Sequence, residues 1–426
     1  WVLKIKEMKN RISINSVIIN QYSIEVCYLI EGDCCKYFNI EKGNSFRIEY
    51  NENIERVPKN IAVIPFIVNV LPIVWLTDAI LEVEELDRTF YNSINRFKQG
   101  YIDMYPMMNF KGSIKVKCLI ENNEEPIGKV AVFFSGGVDA FASLIAHVDE
   151  SPILLTLWGS DIKIDDQLGW NNVRKHVDET AMMFGLEKIY IKTNFRTFIN
   201  EGMLNLLVVQ SGDSWWHGFQ HGIGLIGHAA PLAFNLKLKT VYIASSYTKD
   251  DDVTCASSPT IDNNVEYACC KVVHDQYEFH RQEKITHICN YIKKNHKKIV
   301  LRVCWQSSGG ENCCNCEKCY RTIFGIIAEG ESPSQYGFKN VENKIGTIGS
   351  RIQKRLIMNP MICIPYWQDI QDRFIENKDN IPQRSDLEWI YDFDFNKINN
   401  TIPKKILLLA AKCRKIASKI KLYILR

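Results

Sequence analysis

The chain has almost no charge excess: 52 lysines and arginines stand against 49 aspartates and glutamates, a formal net charge of +3. A balance that mild gives bulk charge no part in holding a nucleic acid. Long apolar runs are also missing. The longest, IAVIPFIVNVLPIVWL (61–76), carries Pro65 and Pro72 and falls short of the ~20 residues that a membrane-spanning helix needs. The N-terminal residues lack the basic, apolar and small-residue order of a secretion signal. Neither an internal repeat nor a low-complexity tract interrupts the sequence. These absences together lead us to expect a soluble cytoplasmic protein with its thiols reduced.

Cysteine is abundant by contrast, with 15 residues. In a reducing compartment such a density points to metal or to chemistry, provided the spacing agrees. In CWQSSGGENCCNCEKC, Cys304, Cys313, Cys316 and Cys319 follow the pattern C-x8-C-x2-C-x2-C. Four soft thiolates from one short segment suit a tetrahedral Zn²⁺, and a closed four-sulfur set leaves no position for a catalytic water. An iron–sulfur cluster is the alternative, since Cys-x2-Cys-x2-Cys runs also hold those. Cys314 is the extra thiol and competes with Cys313 as ligand.

Three regions differ in texture. Residues 1–125 hold β-rich segments (SVIINQYSIEVCYLI, KYFNIEKGNSFRIEY, SIKVKCLI) and one helical stripe, LDRTFYNSINRFKQGYIDMY, and read as an α+β domain of unknown role. The polar joint ENNEEPIG marks its end. From 126 to 345, KVAVFF, PILLTLWG, KIYIKT and KTVYIASS alternate with helical patterns, the signature of an α/β parallel sheet covered on both faces. Residues 346–426 are expected to be mainly helical. They end in PKKILLLAAKCRKIASKIKLYILR, with eight basic residues and no acidic one, a segment suited to docking on this chain or on a second copy in a homodimer.

The first parallel strand runs into AVFFSGGVDAFAS. Two consecutive glycines cost backbone entropy, so something must approach that turn closely. A glycine turn between strand and helix exposes N–H groups beside the positive end of a helix dipole, and phosphate is its natural guest. The ordinary P-loop needs Gly-Lys-Ser/Thr, which is lacking here, and the spacing does not match Gly-x-Gly-x-x-Gly.

SGGVD resembles the PP-loop of the ATP pyrophosphatases, Ser-Gly-Gly-x-Asp-Ser, in a Rossmann-like adenine-nucleotide-hydrolase fold. Ser135, Gly136, Gly137 and Asp139 match, and Ala140 replaces the last serine. Together with the later cysteine spacing and the Arg321 that follows it, residues 129–330 resemble the 7-cyano-7-deazaguanine synthase family. That resemblance implies an AMP- and pyrophosphate-forming ligase that adenylates a carboxylate or nucleobase-like substrate for attack by an amine or ammonia. It implies ATP held by Ser135, Gly136, Gly137, Val138 and Asp139, with Ser143 partly replacing the missing hydroxyl. It also implies Mg²⁺ on Asp139, and Lys284, with Arg281 in HRQEKI, and Arg321 beside the phosphates. VTCASSPTIDNNVEYACC does not match the family's substrate-reading segment, so only the activation chemistry carries over.

In SWWHGFQHGIGLIGH, His217, His221 and His228 fall close to one face of a helix, and His221, next to Gly222 and Gly224, is the pocket candidate. Two further readings stay open. A tRNA thiolation enzyme would use Cys255, Cys269 or Cys270 as a persulfide carrier. A non-catalytic nucleotide sensor would explain Ala140.

Overall fold

In the computed structural model, residues 9–395 are described except 123–124, 252, 305–309 and 359–363. The basic C-terminal segment, with the docking or homodimer role expected of it, lies outside the described residues.

The central feature is an eleven-stranded mixed sheet. Its strands are β1 (Arg11–Asn20), β2 (Ser23–Glu31), β3 (Ser45–Tyr50), β4 (Ile80–Asp87), β5 (Ser113–Ile120) and β6 (Val130–Phe133). β7 (Ile153–Trp158), β8 (Lys188–Thr193), β9 (Thr240–Ala244), β10 (Glu266–Tyr267) and β11 (Cys270–Asp275) complete it. The spatial order is β10-β11-β9-β6-β7-β8-β3-β2-β1-β4-β5. The block β11-β9-β6-β7-β8 is parallel throughout, as the strand–helix alternation implied. β11, CKVVHD, was not among the strands read from the sequence.

The joint at 121–128 does not divide the sheet. β3 pairs antiparallel with β8, Ile48 opposite Thr193 and Tyr50 opposite Ile191, so the N-terminal strands extend the same sheet. The first core crosses the joint as well, from Ile12, Phe46 and Phe66 to Ile191, Phe195 and Val241. Residues 9–122, the described part of the N-terminal region, are therefore packed as one body with the parallel block. Their own strands turn only part of their apolar surface inward, and β8 supplies the edge that β3 would otherwise leave open.

Strand alternation assigns the two faces. On β7, Ile153 and Leu155 point into the first core while Leu154 points into the second. On β8, Ile189 and Ile191 do the same against Tyr190. The second core gathers the helices Val138–Ala146, Gln167–Phe184, Arg281–Asn295, Glu317–Ala328 and Ile364–Glu376. The apolar run 61–76 forms the helix Ile64–Leu76, buried along nearly its whole length, with Pro65 in its first turn where no N–H partner is lost. Among the described residues, no helix is long and apolar enough to cross a membrane.

In the parallel block β6 comes first. β7 and β8 are added on one side of it, β9 and β11 on the other. The connections therefore diverge at the carboxyl end of β6, where open α/β sheets form a ligand crevice.

Candidate functional site

A cleft of about 710 Å³ opens at that point. The strand ends Phe133–Ser135, Leu155–Leu157 and Ile243–Ala244 form its floor, and Ser160–Lys163, His221, Ser257, Arg281, Arg302, Cys304 and Lys318 form its walls. Of the site residues read from the sequence, Ser135, Gly137, Asp139, His221, Arg281 and Cys304 line it.

The turn explains its two glycines differently. Gly136 has φ +77°, a conformation that L side chains rarely adopt, and a Cβ there would lie 2.4 Å from His176 Nε2. Gly137 has φ −82° and caps the helix Val138–Ala146 without a side-chain hydrogen bond, so the first-turn N–H groups of that helix stay open. A Cβ on Gly137 would meet only Ser135 Oγ at 3.5 Å and Arg302 O at 3.6 Å, which are ordinary contacts. Gly136→Ala is expected to lower the folding free energy by about 1–3 kcal/mol, whereas Gly137→Ala costs about 1 kcal/mol or less. Thermal unfolding of the two variants measures the difference.

Arg302 closes the turn from outside. Its backbone N–H donates to Gly136 O at 2.7 Å, and its guanidinium donates to Ser135 O at 3.0 and 2.8 Å. Val138 is fully buried in the second core and does not line the cleft. Ala140 is 4% exposed and lines the cleft, where a serine would present a hydroxyl. Ser143 is placed otherwise than expected. It is fully buried, donates to Asp275 Oδ2 on β11, and does not line the cleft. It ties the helix to β11 and offers no hydroxyl to the cleft.

Around Asp139 the chain collects four cations. Arg281 Nη1 donates to Asp139 Oδ2 at 2.9 Å, and Lys284 Nζ lies 3.8 Å from Oδ1. Burial alone would push the Asp139 carboxyl up. Arg281, Lys284, Lys318 and Arg321 outweigh it and hold the group below its ordinary value. Lys284 is 1% exposed and donates to Ser245 O at 2.8 Å, behind the cleft wall, so it braces Asp139 and the end of β9. Arg321 also stands outside the lining. Its guanidinium lies 4.6 Å from the Tyr366 ring centre and 3.8 Å from Glu317. Among the described residues, Arg281 Nε and Nη2 and Arg321 Nε are buried without a hydrogen-bond partner. The two Arg281 donors stand in the cleft wall and favour an anion there, because a buried unpaired donor costs ~1–3 kcal/mol.

Lys318 and Arg302 were missed in the sequence. Lys318 is one residue before a cysteine of the cluster and carries no motif of its own. Burial, and then Arg281, push its ammonium down to about 8.

The cysteine cluster stands next to these cations. The sulfurs of Cys304, Cys313, Cys316 and Cys319 all lie within 4.8 Å of one another. Cys304–Cys316 and Cys313–Cys319 are each separated by 3.9 Å. Zn–S bonds of roughly 2.3 Å in a tetrahedron require sulfurs about 3.8 Å apart, so the thiols fit a metal such as zinc. Cys316 caps the helix Glu317–Ala328, its sulfur accepting from Cys319 N at 3.4 Å. Cys313 accepts from Asn315 N at 3.4 Å. Cys314 faces Asn312 O and stays outside the set.

The three histidines do not share a helix face. A π-helical turn, Trp216–Gln220, is broken at Gly222, whose φ of +69° and lack of a Cβ admit Ser257 and the Ala256 carbonyl. His228 is a core residue, bonded to Gly224 O at 2.7 Å and Thr193 Oγ1 at 3.0 Å. His221 remains in the cleft wall with Nδ1 3.8 Å from Cys255 Sγ. His217 is held by Asp213 at 3.0 Å and by Tyr247 OH at 3.0 Å.

No protein-family model matches the chain, and no curated protein matches it at a significant level.

Proposed function

We propose that the cleft binds ATP and that the protein is an AMP- and pyrophosphate-forming ligase acting on a carboxylate or nucleobase-like substrate. The observation that carries this reading is the pairing of a helix N-terminus without a capping side chain, after Ser135-Gly136-Gly137, with the buried and partly unmet donors of Arg281 in the cleft wall. A polyphosphate answers both, since N–H groups, guanidinium forks and the helix dipole all favour negative oxygen. The volume also suits the nucleotide and a small second substrate.

Adenylation turns a poor electrophile into one with a good leaving group, and an amine or ammonia then displaces AMP. Little covalent work falls to the protein. Its contribution is alignment, and the neutralisation of charge that grows on the pyrophosphate as it leaves. Arg281 and Lys318 would meet that charge at the cleft wall, with Arg321 behind them and Lys284 as a brace. Asp139 Oδ2 is held by Arg281, while Oδ1 has no hydrogen-bond partner among the described residues. A Mg²⁺ arriving with ATP would be held chiefly by phosphate oxygens, with Asp139 Oδ1 as its ligand from the protein.

Lys318 lines the cleft, and Lys318→Ala is expected to weaken ATP binding about tenfold, whereas Lys318→Arg, which keeps the charge, should retain most of the affinity. Titration calorimetry on the two variants checks both. Restoring the hydroxyl in Ala140→Ser is expected to leave turnover within about tenfold.

Pyrophosphate release with ATP and a panel of carboxylates tests the function. Release without a modified tRNA nucleoside supports the ligase. Thiolated nucleosides in the product would instead select the tRNA enzyme. ATP binding with no release across the panel would select the sensor.

A further inference from the structure

Of the three thiols open to a chemical role, two are placed away from the cleft. Cys269 and Cys270 lie at the turn into β11, at the amino end of that strand, and burial pushes both thiols up. Cys255 is itself outside the cleft lining but lies directly behind it. Its sulfur lies 3.8 Å from His221 Nδ1 and accepts from Ser257 N at 3.4 Å, and both His221 and Ser257 line the cleft. Beside this pair, His217 is anchored by Asp213, which also receives Tyr105 OH at 3.0 Å and Thr254 Oγ1 at 3.3 Å. Cys255 and His221 thus stand as a nucleophile and its base, with the His217–Asp213 pair beside them.

We propose that Cys255 is a covalent acyl acceptor, taking the activated group from the adenylate in the cleft and passing it to the amine as a thioester. This rests on the adenylating reading above. The Cys255 proton passes to His221 Nδ1, the ring nitrogen beside the sulfur. The thiolate attacks the carbonyl carbon of the mixed anhydride, the bond from carbon to the phosphate oxygen breaks, and AMP leaves with the electron pair and the proton from His221. The amine then attacks the thioester carbon and passes a proton to His221. The C–S bond breaks, and that proton restores the thiol. Neither step needs an oxidant or reductant.

The charges around the sulfur support a thiolate. Burial alone would raise the Cys255 thiol, but hydrogen bonds from His217 and His221 bring it down to about 6. Asp213, followed by Cys255 itself, raises His217. His221 is raised by Cys255, with Asp161 and Asp262 adding to it against burial. Tyr101 and Tyr105 also face the thiol, and Tyr247 faces His217.

p-Nitrophenyl acetate is an activated acyl donor that needs no ATP, so it tests the thiol separately from the nucleotide. The full chain at pH 7 should release a burst of nitrophenolate and carry one hydroxylamine-labile acetyl group, mapped by peptide mass spectrometry to Cys255. His217→Ala should slow the burst by about tenfold, because the thiolate is the reacting form. Acetyl groups on the exposed Cys118 as readily as on Cys255, or none on Cys255, would overturn the proposal. ATP binding, measured on the same preparation by calorimetry, reports on the adenylating reading alone: acetylation without it leaves a nucleophilic site and removes the adenylate as donor.

Discussion

Stripping the metal from the four-cysteine cluster is expected to unfold the helix Glu317–Ala328 and to abolish ATP binding with it. The four sulfurs already stand at tetrahedral separations, two pairs at 3.9 Å, with two of them accepting backbone N–H groups. Zinc bound to such sets contributes ~10–16 kcal/mol of apparent binding free energy in small peptides. That is as large as the ~5–15 kcal/mol that holds a whole domain. Without the ion, thiolates packed this closely repel one another, and Cys316 no longer fixes the start of the helix that carries Lys318 and Arg321. Metal analysis of colourless protein should find near-stoichiometric zinc, and a chelator should lower the melting temperature and the ATP affinity together. Brown protein with acid-labile sulfide would replace zinc by an iron–sulfur cluster. Cys316→Ser should reproduce the loss, and Cys314→Ser should not.

Gly137→Val is expected to weaken ATP binding at least about a hundredfold, ~2.7 kcal/mol, with most of the folding stability kept. The backbone at Gly137 is extended, and a first carbon there finds only contacts of 3.5 and 3.6 Å. The cost to the fold is that of a poor helix cap, about 1 kcal/mol. Its methyl groups would stand over the open N–H groups of the helix, where phosphate oxygens must come within ~3 Å. Calorimetry, with the melting temperature as control, separates these two effects. Gly136→Ala should show the opposite balance, because its φ of +77° and His176 make it a glycine of the fold.

That division between neighbours shows what the sequence could and could not reveal. The Ser-Gly-Gly turn, the strands around it and the cysteine spacing were legible, since each rests on local pattern: an apolar run, a glycine pair, a metal-ligand interval. What depends on long-range packing was hidden. The pairing of β3 with β8 joins residues 48 and 193 through no local signal, and so the N-terminal region read as a domain of its own. Ser143 has the right spacing for a phosphate donor, yet the helix turn directs it to Asp275. Lys284 fits a phosphate-binding helix start but is turned inward to the Ser245 carbonyl. Lys318 reaches the cleft only because the cluster and its helix carry it there. The histidine spacing fitted a helix that Gly222 breaks.

The claim that joins these parts is that the β6 turn and the cations around Asp139 form one ATP site. Titrating Mg–ATP into the wild-type protein and into Arg281→Ala in parallel tests it most directly. One nucleotide should bind per wild-type chain, with affinity reduced at least about a hundredfold in the variant, as loss of a buried charged partner implies. No heat from the wild-type protein, or equal affinity in a folded variant, would contradict it.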